Sequence, residues 1–318
     1  MTRRTLLAAA AATVVSADRK NRAPVSHEIL RVKIPEAYPV KLSNGLTLLA
    51  IEDQRVPLVW LKIQVDGAGR VYQPRPAVAQ ATAEMLSQGT RSRSANQLTE
   101  AAAGLGAKLS SGILSNYENA TIEGSGLSSH FEGWLALAAD MLIEPAFPGD
   151  EFTGWRARQM VSARLSGARP ASVAADRLTA LCYGTHPRGF GDPSPPELEA
   201  LTPEMLADWH RQRYTPRNTV ISVIGRARTA DVASLSGKLF GDWKTPESTF
   251  QLPPEPQPVG TRRIVLVDRP GAPQTEVAIG GLLFERRSPD FFPMEVLNTL
   301  LGGATSPAWI SLLNKRRV

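Results

Sequence analysis

The stretch YPVKLSNGLTLLAIEDQRVPLVWLKIQVDGAG, residues 38–69, predicts strands joined by a tight turn. Asn44-Gly45 lies between a short extended run and an apolar run, and this dipeptide supplies the positive φ that a hairpin turn needs. The run that follows has an apolar residue at every second position, which is the pattern of a strand with one buried face. These apolar positions are Val59, Leu61, Ile63 and Val65.

Several later segments have helical periodicity. One is expected to begin near Ser94 and to stop at Gly104 or Gly106, before a strand that starts at Ala107. Another has Thr202 as its N-cap, followed by a proline at the first helical position. The mixture of sheet and helix predicts an α/β or α+β sandwich, and we adopt α+β as the fold class.

A proline-rich segment, FQLPPEPQPVG, predicts an extended linker at residues 250–261. After it, the run RRIVLVDRPGAPQTEVAIGGLLF repeats the strand, turn, strand order of the opening stretch. This repetition suggests a duplicated unit on either side of the linker.

The N-terminus has the layout of a bacterial export signal at residues 1–17. Two arginines precede an apolar run that ends in small residues, so cleavage after Ala17 is expected, by either the general or the twin-arginine route. The alternative is a disordered tail that is never cleaved. The apolar run is too short for a membrane span, and no later stretch approaches ~18 apolar residues, so we expect no membrane span and a periplasmic or secreted protein.

The net charge of +6 does not by itself indicate a nucleic-acid partner. The arginines are scattered along the chain, and no basic run is interleaved with aromatic residues, so we expect no nucleic acid among the partners. Cys182 is the only cysteine, which excludes an intrachain disulfide.

The succession of LSNGLTLLAIED, EMLSQGT, YGTHPRG and DRPGAPQTEVAIG resembles the insulinase/pitrilysin family of zinc metallopeptidases, especially its mitochondrial-processing-peptidase-like bacterial branch. The resemblance implies an α+β fold in which a mixed sheet is covered by helices, followed by the start of a second homologous domain. It implies a first domain at residues 38–249, preceded by an N-terminal extension at 18–37. The second domain, residues 262–318, is expected to be incomplete and C-terminally truncated.

The family's zinc motif is His-x-x-Glu-His, in which two imidazoles bind the metal and the glutamate activates water. Alignment on EMLSQGT places the two histidine positions on Gln80 and Glu84 and the glutamate position on Ala83. The third ligand, a glutamate on a later helix, is expected at Ala163 or Arg164. The resemblance therefore implies a degenerate site with no metal ligands and no cofactor.

The resemblance implies a catalytically inactive, non-catalytic partner subunit that binds peptide beside a zinc-bearing homologous subunit. The family's substrate-lining strand matches GAKLSS, which makes Ala107, Ser110 and Ser111 the expected peptide-binding residues. In such partners an arginine and a tyrosine follow the glycine-rich loop, and the alignment puts Leu313 at the arginine position. Two alternatives stay open: an active zinc metalloendopeptidase with a misaligned metal site, for which zinc is the cofactor, and a structural or chaperone-like subunit.

Overall fold

A mixed six-stranded sheet organises the computed structural model, which describes residues 35, 37–72, 76–114, 118–244, 251, 253–257, 260–272 and 274–302. Its strand order is β1-β2-β6-β3-β5-β4, with β2 and β6 parallel and the other neighbours antiparallel. The strands are β1 (Tyr38–Lys41), β2 (Thr47–Glu52), β3 (Leu58–Asp66), β4 (Ala107–Ile113), β5 (Asn119–Leu127) and β6 (Thr219–Gly225).

The opening stretch folds as its sequence predicts. β1 and β2 form an antiparallel hairpin, and Gly45 has a φ of 93° in the turn between them. The Asn44 side chain accepts a hydrogen bond from the Leu46 amide at 3.2 Å and donates one to the Phe240 carbonyl at 2.7 Å. Every second side chain of β3 is buried, which confirms the predicted one-faced strand.

Helices in the described residues cover one face of this sheet. The helices of the described residues are α1 (Pro76–Met85), α2 (Ala95–Gly104), α3 (Phe131–Ile143), α4 (Gly149–Ala168), α5 (Pro170–Tyr183), α6 (Pro195–Glu199), α7 (Pro203–Arg213), α8 (Thr229–Phe240) and α9 (Phe291–Gly302). Of these, α1, α2, α3 and α8 contact the strands, whereas the side chains of α9 are largely exposed. None of the helices in the described part of the chain is long and apolar enough to cross a bilayer.

Local signals set the helix boundaries as predicted. Ser94 caps α2 through a capping box with Gln97, and α2 ends at Gly104. Gly106 then adopts a φ of 64°, which lets the chain turn directly into β4. Thr202 caps α7 by accepting a hydrogen bond from the amide of Met205.

The core lies between the sheet and the helices, and Trp134 of α3 is its largest fully buried side chain. The indole N–H donates to the Leu127 carbonyl at 3.2 Å. Two glycines of β5 make room for this ring: a Cβ at Gly124 would lie 3.3 Å from it, and a Cβ at Gly126 would lie 2.9 Å from its nitrogen. On the uncovered face of the sheet, Trp60 and Ile224 are exposed. The fold is therefore α+β with two layers, as predicted.

The strands expected after the linker do not form. Residues 260–272 and 274–285 contain no strand, and their apolar side chains other than half-buried Leu282 are exposed, with Leu266 at 91% exposure and Ile279 at 89%. A strand requires a neighbour to receive its backbone hydrogen bonds, and these described residues have none. The assignment of 262–318 to a second domain, like the boundaries 38–249 and 250–261, stays a prediction. The predicted export signal and Leu313 lie outside the described residues.

Candidate functional site

Helix α1 carries the residues that match the zinc motif. Its apolar side buries Val78, while Gln80 and Glu84 are half-buried one turn apart. Ala83, at the position of the family's catalytic glutamate, is fully buried in the hydrophobic core. A methyl group has no proton to exchange, so this position cannot supply a general base.

Glu84 forms the centre of a hydrogen-bond network between α1 and α4. Its Oε1 accepts a hydrogen bond from Gln80 Nε2 at 2.9 Å. Its Oε2 accepts two more, from Trp155 Nε1 at 2.7 Å and from Gln159 Nε2 at 3.0 Å. Hydrogen bonds to an ionised carboxylate are stronger than those between neutral groups, so three N–H donors hold this side chain firmly.

Sequence alignment did not identify Gln159 or Trp155. The structure places Ala163, the aligned third-ligand position, one turn further along α4, where it is half-buried and packs against the core. Trp155 and Gln159 are four residues apart and therefore lie on one face of α4. This spacing was available in the sequence, but which helical face meets α1 was not.

The network residues do not fit a zinc ion. Zinc sites in proteins use imidazole, thiolate and carboxylate ligands, whereas Glu84 here offers one carboxylate whose two oxygens already accept N–H groups. The amides of Gln80 and Gln159 direct their nitrogens at this carboxylate. Among the described residues, no three His, Cys, Asp or Glu side chains lie close enough together to hold a metal.

Comparisons with known proteins point to one family. A model of the peptidase M16 inactive domain matches residues 200–317. An uncharacterized zinc protease of Mycobacterium bovis is 25% identical over 232 residues, which are 70% of this chain and 51% of that protein. The probable mitochondrial-processing peptidase subunit beta of Schizosaccharomyces pombe is 23% identical over 277 residues, 85% of this chain and 59% of that protein. A peptidase M16 inactive domain from Pseudomonas fluorescens has the same fold, with a TM-score of 0.64 and 21% identity over 70% of this chain and 55% of that chain.

These findings support an insulinase-like family member, and the solved structures share the fold of M16-like peptidases. The chain spans about half the length of the curated relatives it matches. Within the insulinase-like fold, the motif positions on α1 lie beside one edge of the sheet, because α1 packs against β4.

The expected peptide-binding residues lie on β4, at the edge of this insulinase-like sheet. Ala107 is buried and pairs with Gly126, so its side chain is not available to a ligand. Ser110 is exposed, and its side chain points to the opposite face of the strand from that of Ser111. The Ser111 hydroxyl donates to the Glu84 carbonyl at 3.4 Å, which links the edge strand to the end of α1.

Histidines elsewhere in the insulinase-like chain have structural contacts. His186 Nδ1 accepts a hydrogen bond from the Arg188 amide at 3.1 Å. The His210 ring stacks on Tyr214 with ring centroids 4.6 Å apart, and its Nε2 lies 2.8 Å from the Leu142 carbonyl. Burial lowers the pKa of His210 to about 4, so the ring is neutral at pH 7 and Nε2 is the donor.

Proposed function

We propose that this chain is a catalytically inactive insulinase-like protein that acts as the non-catalytic, peptide-binding partner subunit of an exported zinc metallopeptidase. The observation that carries the proposal is the environment of Glu84. At a position where the motif requires an imidazole, a carboxylate accepts hydrogen bonds from Gln80, Trp155 and Gln159. Ala83 stands at the glutamate position of the motif, where it is buried and cannot act as a general base.

The edge strand supports a peptide-binding role that does not depend on metal. β4 hydrogen-bonds to β5 on one side only, so the backbone groups of its other side are available within the described sheet. An extended peptide can add to such an edge as a further strand, with affinity from main-chain hydrogen bonds. Exposed Ser110 contributes a small polar side chain that does not block this approach.

A zinc-bearing homologous subunit is the proposed partner. The fission-yeast relative is named as a probable mitochondrial-processing peptidase subunit beta, which supports a role in an assembly of more than one chain. The export signal at residues 1–17 supports a periplasmic or secreted location for the pair.

The test of peptide binding compares the two edges of the sheet. In the antiparallel ladder the Ser111 N–H points away from β5, so Ser111→Pro removes a backbone N–H from the open side of β4. Lys41→Pro makes the same change on the open side of β1 at the opposite edge. Losing a backbone hydrogen bond costs about 0.5–1.5 kcal/mol, so we expect Ser111→Pro to weaken binding of a fluorescent unfolded peptide by ~2–10-fold. Lys41→Pro should leave binding unchanged. Equal affinities of both folded variants and the wild-type chain for the peptide would contradict peptide binding along β4.

The test of the partner role uses the full chain together with a zinc-bearing relative from the same organism. We expect the pair to cleave peptides and the cleavage to be lost when this chain is omitted. Cleavage that is unchanged without this chain, although the two chains associate, would favour the alternative of a structural or chaperone-like subunit. The exposed Leu266 and Ile279 are the observation that supports this alternative, because open apolar surface promotes association.

A further inference from the structure

The polar network around Glu84 joins two helices that are distant in sequence. Gln80 and Glu84 come from α1, whereas Trp155 and Gln159 come from α4. Trp155 is 4% exposed, and its indole N–H has an acceptor in Glu84 at 2.7 Å. A buried indole N–H without an acceptor is unfavourable, so this contact helps to fix the position of α4 against α1.

In an active member, the zinc motif would join the same two parts of the fold, because two ligands lie on the motif helix and the third on a later helix. Here Gln80 and Glu84 occupy the two motif positions. Gln159, whose side chain differs from glutamate only in its amide, reaches the same carboxylate from α4. The positive ends of three N–H dipoles converge where a metal cation would be, and they repel a cation.

We propose that Gln80, Glu84, Trp155 and Gln159 form a metal-free hydrogen-bond network that takes the place of the zinc centre and fastens α1 to α4. Gln159, not Ala163, occupies the third-ligand position. The network excludes divalent cations because its only carboxylate is already satisfied by N–H donors. This role does not depend on peptide binding at β4 or on a partner chain.

One atom of the network predicts how it responds to substitution. Gln80 Oε1 is buried and has no hydrogen-bond partner. In a Glu84→Gln variant, the new amide group can turn its nitrogen toward residue 80, and Gln80 can reverse its own amide so that its oxygen accepts. The Gln80 nitrogen then takes the unpartnered position that Oε1 has in the wild-type chain. The remaining oxygen of residue 84 would still accept from Trp155 and Gln159. The network therefore tolerates Glu84→Gln better than it tolerates loss of the acceptor.

A stability series tests the fastening role in the full chain. Glu84→Leu leaves the Trp155 and Gln159 donors unpaired, and we expect its Tm to fall by about 4–10 °C. Glu84→Gln should lose less than half of that amount. The matched control is Glu100→Leu, an exposed glutamate in α2, which should change the Tm by less than about 2 °C. Equal losses for Glu84→Leu and Glu84→Gln, or a Glu84→Leu loss no larger than that of the control, would overturn the network.

A metal-binding experiment tests the assignment of Gln159. The triple variant Gln80→His, Glu84→His, Gln159→Glu has two imidazoles and a carboxylate, a ligand set that binds zinc in peptidases. We expect it to bind about one zinc ion per chain by calorimetry and metal analysis, and wild type to bind none. The control replaces Ala163 instead of Gln159, as Gln80→His, Glu84→His, Ala163→Glu, and should bind zinc at least about tenfold more weakly. Zinc binding by wild type, or stronger binding by the Ala163 variant, would overturn the proposal.

Discussion

The six-stranded sheet and the segment at residues 262–284 contain similar runs of apolar residues but have opposite structures. In β3 every second side chain is buried, and the strand pairs with both β5 and β6. In the later segment, Leu266 and Ile279 are almost fully exposed. The difference shows that an apolar pattern becomes a strand only where neighbouring strands and a covering layer are present.

The largest expected effect is a difference in the free energy of unfolding between a variant in the sheet region and a variant in the exposed segment. Trp134→Ala empties a fully buried site below β5, beside Gly124 and Gly126. We expect a loss of about 3–5 kcal/mol in the free energy of unfolding, measured by urea titration. Leu266→Ala, at 91% exposure, should change it by no more than about 0.5 kcal/mol. Similar losses for both variants would show that the segment is packed and that the comparison is wrong.

The second expected effect is a dependence of the free energy of unfolding on pH. It comes from His210, which is buried in the packed part of the fold. The pKa of His210 is depressed to about 4 by burial, so the unfolded chain binds a proton below pH 6.5 that the folded chain does not. Stability from this group is complete above pH 6.5 and is lost as the pH falls toward 4, by about 3 kcal/mol in all. Urea titrations at pH 7 and pH 4.5 should show a smaller pH-induced loss in His210→Phe than in wild type. Exposed His130→Gln is the control and should keep the wild-type difference; an unchanged difference in His210→Phe would refute the assignment.

The smallest expected effect on stability concerns the exposed segment itself. Leu266→Glu and Ile279→Glu should leave the free energy of unfolding within about 0.5 kcal/mol of wild type, because neither side chain is packed. Both substitutions should reduce self-association of the chain at high concentration, as measured by light scattering, since they place charge on open apolar surface. A wild-type chain that is monodisperse and monomeric at high concentration would contradict the prediction that the exposed apolar side chains cause self-association.

The sequence predicted features that depend on neighbouring residues. The capping residues Ser94 and Thr202, the Asn44-Gly45 turn and the alternation in β3 act within a few positions, so their patterns are visible in the chain. The sequence also placed Gln80 and Glu84 correctly on one helix, because their spacing is one helical turn.

The parts that could not be predicted depend on packing between distant elements. Trp155 and Gln159 meet Glu84 across more than seventy residues of sequence, and only the orientation of α4 brings them there. Alignment to a motif does not contain that orientation, so the alignment points to Ala163, one turn away from Gln159. For the same reason the apolar runs after residue 262 predicted strands, although no described strand pairs with them.

Metal analysis of the purified, full-length chain after incubation with zinc tests the central claim most directly. The account predicts that, after unbound metal is removed, the chain retains far less than one zinc per molecule and hydrolyses no peptide, because Gln80, Ala83 and Glu84 provide neither a ligand set nor a base. The result that would contradict it is about one tightly bound zinc per chain, removed by a chelator together with peptidase activity.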